Sequence, residues 1–199
     1  MVSAGSVALF MVLFLWRSKV YDLSTAMFFA YGLGAMARGK LGLFHALFPL
    51  ACLNRETTLL LSAVYAVWFW RKMGWGRYML GGLYQAVIFG AIRFWVMAVY
   101  ARNPGFVMLI RPMENIRLFV ESPWLSIIHW SIFGAVLFLC VRDWRRLPAF
   151  MRVALAVLGP IMMANYLVLG WSFEVRVFAE VYPVIIEIVY IKQQSAVES

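Results

Sequence analysis

The sequence predicts an all-α, polytopic transmembrane bundle of about six to eight membrane helices, some of them short or interrupted. Three observations carry this. Hydrophobic residues make up 64% of the chain and charged residues only 14%, whereas a soluble domain has about a quarter charged and under half apolar. Mean hydropathy is +0.82. Nine tryptophans and nine tyrosines are present, and such rings collect where acyl chains meet water. No strand-like alternation competes, and backbone groups in lipid must be satisfied within a helix. No repeat, low-complexity run or linker divides the 199 residues, so residues 1–199 read as one integral membrane domain.

The first apolar stretch, 2–16, has no basic residue before it and no small-x-small cleavage site after it, so it reads as a retained span. Stretches 20–37, 41–53 and 57–70 follow, each somewhat short for a crossing that needs about 20 residues. The clear spans are 78–100, 123–141 and 150–170, and a shorter one covers 176–191. Lys and Arg in short loops set orientation. "RKMGWGR" (71–77) and "RDWRRLPAFMR" (142–152) are basic and should be cytoplasmic. Residues 102–122 are then outer, and the C-terminus is cytoplasmic. These features suit a bacterial inner (plasma) membrane.

Residues 41–70 divide in two ways: two short arms meeting at Asn54-Arg55-Glu56, or one long interrupted helix. Arg38 and Lys40 lie inside in the first division and outside in the second, where Arg17 and Lys19 replace them, so charge does not choose. The two-arm division is favoured because Pro49 should break a continuous helix and because the polar triplet would otherwise sit at depth.

Charges within spans cost about 2.5–3.5 kcal/mol at the helix centre and therefore need explaining. In "LNRETT" (53–58) Asn54 is a candidate cap for the following helix, with Glu56 beside that helix's positive end. Alternatively Arg55 and Glu56 line an outer pocket. Arg93, inside "FGAIRFWVMAVY", either snorkels to the interface or pairs with a carboxylate. In "GWSFEVRVFAEVYPVIIEIVY" (170–190), a helix starting near 175 puts Arg176 and Glu180 four apart on one face, with Glu187 two turns deeper and Pro183 kinking the helix near the pair. On this topology Asn54, Arg55, Glu56, Arg93, Glu114, Arg117, Glu121, Glu174, Arg176 and Glu180 all fall towards the outer side, which suggests an outward-facing polar chamber. Residues 102–122 are amphipathic, with Val107, Leu109, Ile110 and Met113 opposed to Arg111, Glu114 and Arg117. They form either a guide for a lipid-borne ligand or a lid.

Other chemistry lacks motifs. Eighteen Lys and Arg residues give a net charge of +9, but they are scattered among loops, and no nucleic-acid signature accompanies them. Cys52 and Cys140 sit in apolar runs and read as small buried residues. His45 and His129 are isolated, and no metal, haem or phosphate-loop spacing occurs, so no metal or cofactor is implied. Transport would need more polar groups at depth than Glu187 and Asn165 provide.

"LNRETTLLL", followed after several spans by "EVRVFAEVYPVI", resembles a pattern in uncharacterised bacterial polytopic proteins. These carry an Asn-Arg-Glu-Thr turn and a late Glu-x-Arg near a proline-bearing last helix, and they are loosely similar to GT-C-type membrane glycosyltransferases, which use polyprenyl-linked sugars on the outer face. The resemblance covers residues 41–190 and marks Asn54, Arg55, Glu56, Glu174, Arg176, Glu180 and Pro183. GT-C-type enzymes place a catalytic acid in the first outer loop. Asp22, in "RSKVYDLS", is the sole candidate for it here, and the chain is much shorter than such enzymes.

Two functions follow. In one, Arg55, Arg93 and Arg176 hold a phosphate or pyrophosphate and Asp22, Glu56 or Glu180 is the base of an outer-face, glycosyltransferase-like enzyme using a polyprenyl-linked substrate. In the other, the chain is a subunit or lipid-ligand binder of a larger membrane assembly, with Asn54, Arg55, Arg93, Glu174 and Arg176 as ligand-binding residues. Its partners are membrane lipids, polyprenyl phosphate among them, and other membrane-protein subunits. Short spans favour the second, because short helices need protein neighbours.

Overall fold

The computed structural model describes residues 20–102, 144–169, 180–181 and 183–186, together with single positions between 113 and 142. The described residues are mainly helical, with no strand among them. The elements are α1 (Val20–Ala37), α2 (Leu41–Asn54), a 3-10 turn (Glu56–Thr58), α3 (Leu59–Phe69), α4 (Trp75–Val99), a second 3-10 turn (Trp144–Arg146) and α5 (Ala149–Leu169). Positions 113, 117, 120, 121, 124, 127, 131, 134, 138, 141 and 142 are also helical. The predicted span 2–16 and most of 176–191 lie outside the described residues, as do Glu114, Glu174, Arg176 and Glu187.

Glycine and hydrogen bonding fix the first turn. Gly39 adopts φ +67°, the left-handed conformation that ends helices. Gly39 N–H donates to the Met36 carbonyl at 3.1 Å and Lys40 N–H to that of Ala35 at 2.8 Å. This doubly bonded cap satisfies the carbonyls that α1 leaves over and sends α2 back along α1.

The two-arm division of 41–70 is the one observed, but its cause differs from the expected one. Pro49 lies inside α2 without ending it. The chain breaks at Arg55, which is extended at φ −158°, ψ 148°. Proline removes the N–H that would have served the carbonyl of His45, and the hydroxyl of Tyr84, on α4, donates to that carbonyl at 3.1 Å. With its freed acceptor taken by a neighbouring helix, α2 has no reason to unwind there. At the true break, the carbonyl of Ala51 accepts from Arg55 N–H at 3.1 Å and from the Thr58 hydroxyl at 2.8 Å.

Aromatic layers lock α2, α3 and α4 together near one end of the bundle. Tyr65 is sandwiched between Phe44, at 6.0 Å and 11°, and Tyr78, at 5.9 Å and 5°. Its hydroxyl donates to the Tyr78 carbonyl at 3.3 Å, and Gly81 leaves the space that this hydroxyl fills. Gly32 similarly lets α1 approach Leu61, whose nearest methyl would stand 3.1 Å from an added Cβ. Phe29, Met36, Phe48, Leu61 and Val64 complete a core excluded from the surface.

These contacts order the ends of the bundle. Phe44, early in α2, stacks on Tyr65, late in α3, which stacks on Tyr78, early in α4. Trp68 meets Phe150 edge to face at 5.1 Å, which brings the start of α5 to the same end. The turns containing Arg38, Lys40, Arg71, Lys72, Arg145 and Arg146 therefore share one end of the bundle, and Arg55 lies at the other. Trp70, Trp75 and Tyr78 form a ring cluster at the basic end, with centroids 5.5–5.7 Å apart.

One described helix, α4, is long and apolar enough to cross a membrane, at 25 residues or about 37 Å. Only 6% of its apolar window is buried against the rest of the chain, so it is not a core helix of the soluble type. Leu80, Leu83, Phe94 and Met97 on it are more than 60% exposed. The arms α2 and 56–69 are shorter, at 14 residues for α2, or about 21 Å against a hydrocarbon thickness of about 30 Å.

Candidate polar chamber

The polar end is built on the break at Arg55. Asn54 is the last residue of α2, so its side chain projects beyond the apolar part of the arm towards the start of α1. There its Oδ1 accepts from the Ser24 hydroxyl at 2.7 Å and its Nδ2 donates to the Thr25 hydroxyl at 2.8 Å. This corrects its expected role: the 3-10 turn and α3 have no side-chain cap bond, and Asn54 ties two helices instead.

Arg55 follows and turns inward because its backbone is extended. Its Nη1 donates to Asp22 Oδ1 at 3.1 Å and lies 3.8 Å from Glu180 Oε1. Both carboxylate side chains are at 0% exposure, and Arg55 retains 28%. Asp22 lies in the first turn of α1, at the head of the predicted stretch 20–37, not in the first outer loop that the resemblance calls for. A carboxylate is favourable there because the first backbone N–H groups carry partial positive charge.

Glu180 also departs from expectation. With Val181 it stands in a turn, and the described helical residues begin at Pro183, where Val184 N–H and Ile185 N–H bond the Val181 carbonyl at 3.0 and 3.2 Å. Pro183 thus opens a helical turn, a position where its missing N–H costs nothing, instead of kinking one. Both oxygens of Glu180 are buried and accept no hydrogen bond from the described residues. The hydroxyl of Thr57 lies near that carboxylate but out of bonding geometry.

A second pair stands beside the first. Arg93 Nη1, on α4, lies 3.6 Å from Glu56 Oε2, so of the two expectations for Arg93 the paired one is observed. Glu56 occupies the first turn after the break, as expected for an acid at a helix start. Its side chain is 76% exposed and that of Arg93 22%. Arg93 Nε and Nη2 are buried without a hydrogen-bond partner among the described residues.

Asp22, Asn54, Arg55, Glu56, Arg93 and Glu180 are therefore brought together, whereas Glu174 and Arg176 lie outside the described residues. Sequence reasoning missed Ser24, Thr25 and Thr57. The run Asp22-Leu23-Ser24-Thr25, polar at the head of an apolar stretch, was the signal that could have found the first two. Among the described residues no group of three or more His, Cys, Asp or Glu side chains is placed to hold a metal ion. Arg117 and Glu121 form an exposed pair at 2.6 Å, four residues apart, away from this cluster in sequence.

The arrangement can do two things chemically. Two fully buried carboxylates around one guanidinium fix the relative positions of α1, the break and residue 180. The unbonded edge of Arg93 and the unbonded oxygens of Glu180 are unused donors and acceptors, the kind a polar guest would satisfy. Compared with known proteins, the chain matches no family model, no curated protein and no solved structure.

Proposed function

We propose that this chain is a multi-pass integral membrane protein that holds a lipid headgroup in the polar chamber, as a subunit or lipid-binding component of a larger membrane assembly. The observation that carries the proposal is the Asp22–Arg55–Glu180 cluster, fully buried on its acidic side, at the end of helical arms only 14 residues long for α2. An arm of about 21 Å starting at the basic end stops well short of a hydrocarbon layer of about 30 Å. The chamber is then recessed below the outer surface, within reach of headgroups of the outer leaflet. Charges at that depth are retained where they line a cavity or meet protein.

The basic turns at one end and the acidic cluster at the other support an orientation with the turns in the cytoplasm. The C-terminus is cytoplasmic and the host membrane a bacterial inner membrane. The unburied face of α4 supports contact with lipid or with a further subunit, and the short arms need such a neighbour. Phosphate-bearing lipids, polyprenyl phosphate included, suit the guanidinium of Arg93.

A second reading is an outer-face enzyme of glycosyltransferase type acting on a polyprenyl-linked substrate. The observation favouring it is that Asp22 joins Arg55 and Glu180 at the chamber, the early acidic position that the resemblance calls for.

Native mass spectrometry of the full chain from mild detergent tests both. A stoichiometric partner complex, or retained lipid that is lost on Arg93→Ala, is expected. A lipid-free monomer would sink the binding reading, and sugar transfer from a polyprenyl phosphate donor that stops on Asp22→Asn would favour the enzyme.

A further inference from the structure

We infer that the chamber selects a zwitterionic headgroup, a phosphate joined by a short linker to a primary ammonium, with the phosphate on Arg93 and the ammonium on Glu180. The inference rests on the lipid-binding reading and names the ligand class.

Two sets of unbonded groups of opposite polarity carry it. Arg93 holds its Glu56 partner at 3.6 Å, beyond hydrogen-bond length, and its Nε and Nη2 are buried and unbonded among the described residues. These two atoms form one edge of the guanidinium, the edge that takes two oxygens of a phosphate side by side. Glu56, at 76% exposure, is a weak competitor because an exposed ion pair contributes little.

Glu180 has the opposite need. It is fully buried and neither oxygen accepts a hydrogen bond from the described residues. Among the described residues its ion-pair partner is Arg55 Nη1, which stands closer to Asp22, at 3.1 Å against 3.8 Å. A buried carboxylate so placed calls for a donor that also brings positive charge. Residues 55–57 join the two sets, since Arg55 faces Glu180, Glu56 faces Arg93, and the Thr57 hydroxyl, near Glu180, is itself buried and unbonded.

A purely anionic headgroup satisfies Arg93 and sets further negative charge beside Glu180. A trimethylammonium headgroup brings charge but has no N–H for the carboxylate oxygens. A primary ammonium on a phosphate satisfies both sets at once. The same chemistry is available from a membrane lipid or from soluble phosphoethanolamine.

The test reconstitutes the full chain in nanodiscs of equimolar ethanolamine, choline and glycerol phospholipids with identical acyl chains, and measures retained lipid by native mass spectrometry. Ethanolamine lipid is expected to be enriched about tenfold, the worth of roughly one charge-assisted hydrogen bond. Glu180→Gln should abolish that preference while retention of total lipid persists, and Arg93→Ala should lower retention of all three. Because a variant of a buried residue can fail to fold, thermal unfolding of the wild-type chain is measured with soluble phosphoethanolamine, phosphocholine or inorganic phosphate. Stabilisation by phosphoethanolamine alone assigns recognition to the headgroup, and retention of ethanolamine lipid without it assigns recognition to the whole lipid. Equal retention of the three lipids overturns the inference and leaves lipid binding intact. Absence of retained lipid overturns the binding reading beneath it.

Discussion

The hydroxyl of Tyr84 donates to the carbonyl of His45 at 3.1 Å, the acceptor that Pro49 leaves without its helical partner. A residue on α4 thereby completes the hydrogen bonding of α2. Tyr84→Phe should destabilise the protein by about 1 kcal/mol, the net worth of a typical hydrogen bond. In a Pro49→Ala background the same change should cost almost nothing, since the backbone N–H restored by that substitution takes the carbonyl back. Thermal unfolding of the four variants in detergent measures the coupling, and equal costs in both backgrounds would contradict this account.

Gly81 provides a second test. A methyl added there would strike the hydroxyl of Tyr65, whereas at Gly82 it meets nothing within 4 Å. Gly81→Ala should destabilise by about 1–3 kcal/mol, as overpacking does, and Gly82→Ala should be neutral or slightly stabilising through helix propensity. Adding Tyr65→Phe to Gly81→Ala should recover part of the loss, because it removes the obstructing oxygen. Unfolding midpoints decide this.

Removing the guanidinium of Arg55 leaves Asp22 and Glu180 buried without it. Arg55→Ala should cost about 3 kcal/mol, the lower end for breaking a buried pair, because the arginine keeps 28% exposure. Adding Asp22→Asn should restore stability in part by removing one of the two buried carboxylate charges that Arg55 offsets. Monodispersity on size-exclusion chromatography and unfolding midpoints report it, and an unchanged Arg55→Ala variant would show that the cluster does not hold the helices.

Orientation is tested by single cysteines in a background with Cys52 and Cys140 replaced by alanine. Lys40→Cys and Lys72→Cys should react with an impermeant maleimide from the same side, the cytoplasmic one, and Ala101→Cys from the opposite side. Labelling of Lys40→Cys and Lys72→Cys from different faces would rule out the two-arm topology.

Helices were legible in the sequence because apolar runs and their basic boundaries are local properties. The predicted stretch 20–37 coincides with α1, and 41–53 and 57–70 meet α2 and the following arm within a residue or two. The effect of Pro49 was not legible, since it depends on a tyrosine 35 positions further along the chain. Nor was the role of Asn54: a cap and an interhelical tie use the same residue type, and only the return of α1 to that end supplies Ser24 and Thr25 as partners. The pairing of Arg93 with Glu56 was one of two open expectations, because an arginine near a helix end can reach water or protein. Pro183 was misread because the last helix was expected to start near residue 175, whereas residues 180–181 form a turn.

The shortness of α2 has a consequence for the surrounding lipid. On the proposed membrane reading, a bilayer meeting an apolar arm of about 21 Å beside a full-length helix of about 37 Å would not keep one thickness around the protein. On the α2 side the outer leaflet of the proposed orientation would dip, at a cost of fractions of a kcal/mol for each ångström. Lipids there would tilt and bring their headgroups down towards the level of Arg93 and Glu180. The protein would then do part of the work of lifting a lipid out of its leaflet before any contact is made, and its behaviour should depend on acyl-chain length as much as on headgroup.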